Sequence, residues 1–394
     1  MRTTSRSSVR SRVSSLSGRG PALAAIAIGL MWAVSNTDAN DPRPERVLLI
    51  IVGLVLADTT VAGRLSPAFT GWYAVLVAFS ERFTKLPREN YSDVLRATRE
   101  AIEVFLLGHG NPYTHVFTST DPIGSPFPYP PGEFLFYLPA YLWFDDITRV
   151  DLLISIATTA CFVIAGFRVG FGRVAVPAML YATWLYSSFH AGDGSNDTSA
   201  AFLVILAIVL LALHERWPNR LLFILSAVAF GWAVAFKQFA VFVLVPTVRY
   251  LAVNVDARWR PYLAITVGTI AAFGLPFFVQ DPGAFLGQQL AALTFHTERD
   301  GVNIASALAG VGMVLPAGVF TVLELTAAAG LLLWTAIKPL RNLGQVTLVG
   351  SLAITVVILL AWWTSQAYWL YVGSVGLLGV ALFEDRDDDK ERGP

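Results

Sequence analysis

Residues 90–132 read NYSDVLRATREAIEVFLLGHGNPYTHVFTSTDPIGSPFPYPPG. This stretch is rich in Asp, Arg, Glu, His and Pro and is too polar to face lipid, yet the sequence around it is almost continuous membrane-spanning hydrophobicity. It therefore sits at a water interface between spans, where binding and chemistry concentrate.

The chain has 394 residues, of which 55% are hydrophobic and 14% charged, with a mean hydropathy of +0.58. That balance excludes a soluble globular domain and predicts an all-α polytopic membrane protein whose first partner is the lipid bilayer. A formal net charge of zero argues against nucleic acid as a partner. The single Cys161 can form no disulfide within the chain. The five histidines are scattered and make no HxxxH, and no CxxC occurs, so neither a metal site nor a cofactor is predicted.

Apolar runs fall near 21–36, 46–62, 66–80, 149–166, 174–189, 198–214, 220–236, 239–251, 261–279, 317–337, 345–362 and 368–383. Several are shorter than the ~20 residues of a straight crossing, so about twelve transmembrane helices are expected, within a range of about 10–13. The first 20 residues hold Arg2, Arg6, Arg10, Arg12 and Arg19 and no acid, which places the N-terminus in the cytoplasm. Counting forward, Arg64, Arg168, Arg173, Arg216, Arg220, Arg249, Arg258, Arg260, Lys338 and Arg341 all reach that same side, provided that 301–316 lies as a re-entrant or interfacial helix and does not cross. The first run has a basic flank like a signal peptide but no small-x-small cleavage site follows, and it reads as a retained helix. The organisation expected is a basic tail (1–20), a single transmembrane domain (21–383) with a large external loop (81–148), and an acidic cytoplasmic tail (384–394).

On this topology 81–148, 190–197 (HAGDGSND), Lys237 with Gln238, and 280–303 share the external face and hold nearly every acid, His and Asn outside the tails. One active face, pointing out of the cell membrane, is expected. Within the first of these segments, residues 92–108 predict an amphipathic helix. Val94, Ala97, Ala101, Val104 and Phe105 form its apolar face, and Arg96, Arg99, Glu100 and Glu103 its polar one. Ser92 is the expected N-cap and Gly108 or Gly110 the terminator. Such a helix lies in the membrane surface and puts Asp93 at headgroup level.

Each polar residue has a structural role to weigh beside a functional one. Asp93 suits the helix dipole. Arg96 and Arg99 suit i,i+4 pairs to Glu100 and Glu103. Lys237 either snorkels or binds an anion. His190, Asp193, Asn196 and Asp197 either form a polar turn that caps the next helix or recognise hydroxyl groups. Glu324 and Asp58 are acids within spans, and Glu324 is the better placed, because its span begins outside. The Asp145–Asp146 pair directly precedes a span and suits capping.

The order of Asp93 opening a helix, LLGHGNPY (106–113), PFPYPPG (126–132), GSND (194–197) before a span, and AFKQFAVFVLVP (235–246) resembles the polytopic GT-C glycosyltransferases. It is nearest to the prokaryotic branch resembling polyprenyl-phosphate-mannose-dependent mannosyltransferases, over roughly residues 85–250. The resemblance implies transfer of a hexose from a polyprenyl-phosphate sugar donor to a glycolipid, glycan or protein acceptor. Asp93 would be the general base. Lys237, His296 and Arg299 would hold the donor phosphate, and His190, Asp193, Asn196, Asp197, Tyr129 and Glu324 would bind sugar or acceptor. Inversion with a phosphate leaving group needs one base and no acid, since the phosphate departs as a stable anion. The chain lacks the acidic pair that parts of the superfamily carry near Asp93, so a metal is not expected. A transporter or flippase of lipid-linked sugars is the competing reading. It predicts ionisable groups at midplane in both halves of the chain and an internal repeat, and no repeat is visible.

Overall fold

The computed structural model describes residues 66–83, 92–108, 110–255, 258–294 and 301–383. The runs at 21–36 and 46–62, both tails and Asp58 lie outside the described residues. Fifteen α-helices are described, and no strand among these residues. They are α1 (Pro67–Phe83), α2 (Asp93–Leu106), α3 (Gly132–Phe144), α4 (Val150–Val169), α5 (Phe171–Thr183), α6 (Leu185–Asp193), α7 (Asp197–Arg216) and α8 (Arg220–Phe236). They continue with α9 (Val241–Asn254), α10 (Trp259–Gln280), α11 (Pro282–Thr294), α12 (Ile304–Gly310), α13 (Ala317–Ile337), α14 (Leu343–Leu360) and α15 (Tyr368–Ala381).

Five of these, α4, α7, α10, α13 and α14, are long and apolar enough to cross a membrane, and α8, α9 with its leading turn, and α15 are shorter apolar helices. The fold class is that of an all-α, multi-pass membrane protein. Its centre is α7, where Leu203, Val204, Ile205, Ala207, Ile208, Val209 and Leu211 are sealed against α4, α8 and α15. By contrast α13 turns Val322, Leu323, Leu325, Leu333 and Ile337 outward, the surface expected of a lipid-facing helix.

The apolar run at 174–189 reads as one span but is two helices. The chain becomes extended at Trp184 (φ −68°, ψ 105°). Two of the carbonyls freed by the break are taken by Arg82 from α1: Nη1 donates to Ala182 O (2.5 Å) and Nη2 to Tyr181 O (3.2 Å). The same guanidinium donates to Ser155 Oγ (2.9 Å) and Ser187 Oγ (2.6 Å), with no solvent exposure. A buried cation that satisfies a helix end in this way redirects the chain, so that α6 carries the polar 190–197 turn toward α2.

A further difference concerns the segment 280–303. Part of 280–303, expected as loop, is the helix α11, started by Pro282 after Asp281 Oδ1 accepts from Ala284 N (2.9 Å). Segment 301–316 forms only the seven-residue α12, about 10 Å long and too short to cross.

Candidate active site

Helix α2 forms as its apolar periodicity demands. Ser92 Oγ accepts from Val94 N (3.3 Å), and the buried side is Leu95, Ala97, Thr98, Ala101, Ile102 and Val104. Val94 and Phe105 are only half-buried. The helix packs on α3, so protein covers its apolar side where a membrane surface was expected.

Of the two expected i,i+4 pairs, Arg99–Glu103 is present at 2.9 Å, and Arg99 also reaches Asp145 at 3.2 Å. Glu100 is used elsewhere. Its carboxylate accepts from Thr118 N and Oγ1, from Ser119 N and Oγ, and meets His115 Nε2 at 2.8 Å. Burial alone would raise the Glu100 pKa, but the donors from Ser119, Thr118 and His115 override it and hold the carboxyl down to about 2. Asp146 caps its own turn, accepting from Thr148 N (2.8 Å) and Thr148 Oγ1 (2.6 Å).

Backbone contacts tie Asp93 to the second polar segment. Ser92 N donates to Asp193 O (2.8 Å), and Gly194 sits against Leu95 so closely that a Cβ there would lie 2.7 Å from the Leu95 side chain. With φ +79°, Gly194 also holds a left-handed conformation that other residues adopt only at a cost. His190 Nδ1 meets Asp193 Oδ2 at 2.7 Å, and its ring packs edge-on to Tyr186.

The third segment is anchored by close packing. The Pro-Pro-Gly turn before α3 presses on the end of α8, where a Cβ on Gly132 would lie 2.5 Å from Ala235 O, and Trp232 Nε1 donates to Gly132 O (2.9 Å). Gln238 Nε2 donates to Pro128 O (3.3 Å) and Gln289 Nε2 to Tyr129 O (3.0 Å). The turn thus carries Tyr129 to the break between α8 and α9, where Lys237 stands.

Lys237 does not snorkel. It is 4% exposed; Nζ donates to Asp197 Oδ1 (2.6 Å) and Asn196 Oδ1 (3.2 Å) and lies 4.5 Å from the Tyr368 ring centre and 5.8 Å from that of Tyr129. An ammonium boxed by two acceptors and two aromatic faces is a fixed cation, held by charge and ring quadrupoles together. Asp197, at the start of α7, is this cation's counter-ion rather than only a capping residue. Tyr368 is the common neighbour, within Coulombic reach of Asp197, Glu324 and Asp93. Tyr129 likewise reaches Asp197, Glu133 and Asp93.

The structure therefore joins Asn196, Asp197, Tyr129 and Tyr368 around Lys237, with Asp93 near both phenols, Glu324 near that of Tyr368 and the His190–Asp193 pair behind the turn. His296 and Arg299 lie outside the described residues. Thr98, Glu133 and Tyr368 belong to the cluster and were missed in the sequence. For Glu133 a signal existed, an acid in the apolar run GEFLFYLP, whereas Tyr368 gave none.

The arrangement of these helices is a known polytopic membrane fold. Two solved structures share it. The apo form of ArnT from Cupriavidus metallidurans matches 82% of this chain and 61% of its own at 17% identity and a TM-score of 0.53. The structure of the same protein bound to undecaprenyl phosphate matches 79% of this chain and 58% of its own, at 17% identity and a TM-score of 0.50. The match thus spans about three fifths of ArnT. No family model matches the sequence, and no curated protein matches it.

Proposed function

We propose that this protein is a membrane glycosyltransferase that moves a hexose, mannose by the resemblance of its motifs, from a polyprenyl-phosphate carrier to a glycolipid, glycan or protein acceptor. The observation that carries the reading is the fixed Lys237 ammonium held under the Tyr129 and Tyr368 rings, the two phenols that Asp93 also influences. Asp197 and Asn196 take two of its three hydrogens, and the third is available to a phosphate oxygen. The likeness of fold to ArnT, one of whose structures holds undecaprenyl phosphate, supports a polyprenyl-phosphate donor.

In this mechanism Asp93 takes the proton of the acceptor hydroxyl as that oxygen bonds to the anomeric carbon. The bond from that carbon to the phosphate oxygen breaks, and its electron pair leaves with the phosphate. The new negative charge meets Lys237, already oriented and shielded from water. The acceptor oxygen attacks the face of the anomeric carbon opposite the departing phosphate, so configuration inverts. The site faces out of the plasma membrane, with both termini in the cytoplasm.

Transport of a lipid-linked sugar is the second reading. It draws on the helix break that carries Lys237, a feature of transporter binding sites. The deciding assay is purified protein in nanodiscs with polyprenyl-phosphate-[14C]mannose and a mixed glycolipid acceptor pool. Transfer of label to acceptor supports the enzyme. Label that stays on the carrier while crossing the bilayer of proteoliposomes overturns it in favour of transport.

A further inference from the structure

Glu133 opens α3 with no solvent exposure and touches the cluster from behind. Its Oε1 lies 2.6 Å from Thr98 Oγ1 of α2 and accepts from Asn196 Nδ2 at 3.1 Å, while its Oε2 is buried with no hydrogen-bond partner. Asn196 in turn presents Oδ1 to Lys237 Nζ. One chain of contacts thus runs from α2 through Glu133 and Asn196 to the fixed cation. An Asn side chain can point either way, and here the contact to Glu133 decides which end meets Lys237.

We propose that Glu133 is the positioning residue of this site: it fixes the Asn196 amide and, through it, the Lys237 ammonium, and it does so as a protonated acid. Hydrogen counting supports the protonated state. Thr98 Oγ1 stands 2.8 Å from Val94 O as well as 2.6 Å from Glu133 Oε1, and a hydroxyl has one hydrogen. Both contacts are made when Thr98 donates to the Val94 carbonyl, as mid-helix threonines do, and Glu133 donates to Thr98. The orphaned Oε2 is then a neutral carbonyl oxygen, far less costly to bury than half of a carboxylate.

Charge balance points the same way. The groups facing Glu133 are Asp151 from α4, Lys237 from the α8–α9 break, and the phenols Tyr113, Tyr129 and Tyr137. Lys237 is already paired with Asp197, and Asp151 is held by Tyr137 and Ser199. An ionised Glu133 would add a buried negative charge with no cation of its own. Burial pushes its carboxyl up, to about 7, against the pull of the Thr98 and Asn196 contacts and of Lys237, with Asp151 adding to the rise.

The inference rests on the donor-phosphate reading of Lys237 for one of its two readouts. The probe is a polyprenyl methyl phosphodiester, whose single charge does not change between about pH 6 and about pH 8. Its affinity for the protein in nanodiscs should fall several-fold as pH rises through about 7, as Glu133 ionises beside the anion. In Glu133→Gln, which cannot ionise, the slope should vanish and binding at about pH 8 should rise toward its value at about pH 6. Glu133→Leu, which releases Asn196, should bind ~10-fold more weakly or worse at either pH. A wild-type affinity flat across the range, or a slope that survives Glu133→Gln, overturns the proposal. If no form binds the diester, the donor reading fails instead, and infrared difference spectra decide Glu133 on their own. A neutral-acid carbonyl band that titrates near pH 7 and is lost in Glu133→Gln upholds it; no such band overturns it.

Discussion

The ammonium of Lys237 and the carboxylate of Asp197 meet at 2.6 Å with side-chain exposures of 5% and 3%, forming an ion pair sealed inside the helices. Removing one partner strands the other charge, so Lys237→Met should cost ~3–5 kcal/mol or prevent folding. Neutralising both, as Lys237→Met with Asp197→Leu, should restore much of the melting temperature without restoring donor binding. Thermal denaturation in detergent, read beside binding of a non-transferable polyprenyl-phosphate analogue, checks both outcomes. Lys237→Arg keeps the charge but brings a planar fork into a box built for a point charge, and should bind donor weakly. Lost stability with wild-type affinity in Lys237→Met would return the lysine to a structural role.

Asp93 is half-buried, and among the described residues its carboxylate has a single hydrogen-bond contact, the Ser92 hydroxyl at 3.4 Å. Little structure depends on it, so Asp93→Asn should fold and melt like the wild type. Turnover should nevertheless fall ~10²-fold or more, because the acceptor proton then has no base. Near-normal turnover in that variant would leave Asp93 as an N-terminal acid on a helix and nothing more.

Glu100 gathers the 115–119 segment onto α2, and its carboxyl is held at about 2 against an ordinary 4.5. A depressed folded value means the unfolded chain binds the proton more readily. The contribution of Glu100 is therefore full above about 4.5 and is lost as pH falls through about 2. Hydrogen exchange or limited proteolysis of residues 115–125 should show the loop loosening over that window. In Glu100→Gln the loop should already be loose at neutral pH and its acid sensitivity absent.

Topology is open to impermeant thiol labelling in a Cys161→Ala background. Ser195 and Gly301 look suitable in the sequence, but Ser195 is buried and Gly301 is pressed on the Thr364 backbone. Cysteine at Ile123, which is 76% exposed, should label from outside the cell. Cysteine at the exposed Arg341 should label only after permeabilisation. The same response at both positions would dismantle the proposed orientation.

What the sequence revealed and what it concealed follow the range of the interactions. The apolar stripe of α2 and the spans at α4, α7, α8 and α14 are local patterns, and periodicity and length expose them. The break at Trp184 is concealed because no Gly or Pro marks it; its cause is Arg82, about 100 positions away. Lys237 and Asp197 are 40 residues apart, so a sequence shows one lysine in an apolar run and one helix-capping acid, never the pair. Helix α11 is the avoidable miss, since Asp281 followed by Pro282 is a helix start by ordinary capping rules. Glu133 was passed over because its neighbours make it look like a stray charge, although burial of such an acid is the sign of a site.

The last expectation concerns Gly132, where the start of α3 touches the end of α8. Its Cα faces the Ala235 carbonyl so closely that an added methyl would lie 2.5 Å from that oxygen and 2.7 Å from its carbon. Both are backbone atoms at the end of a packed helix, so neither can yield as a flexible side chain would. Gly132→Ala must therefore push α3 away from α8, carrying Tyr129 on one side and Glu133 on the other away from Lys237. Overpacking of this kind costs ~1–3 kcal/mol, a modest fall in melting temperature. Its effect on turnover should be far larger than that, because two site residues shift together away from Lys237. Gly268→Ala on α10, where a methyl meets nothing within 4 Å, is the control and should leave both stability and turnover intact. Should Gly132→Ala lose stability while keeping full turnover, the Pro-Pro-Gly turn would be a packing joint alone, and the site would not depend on its register with α8.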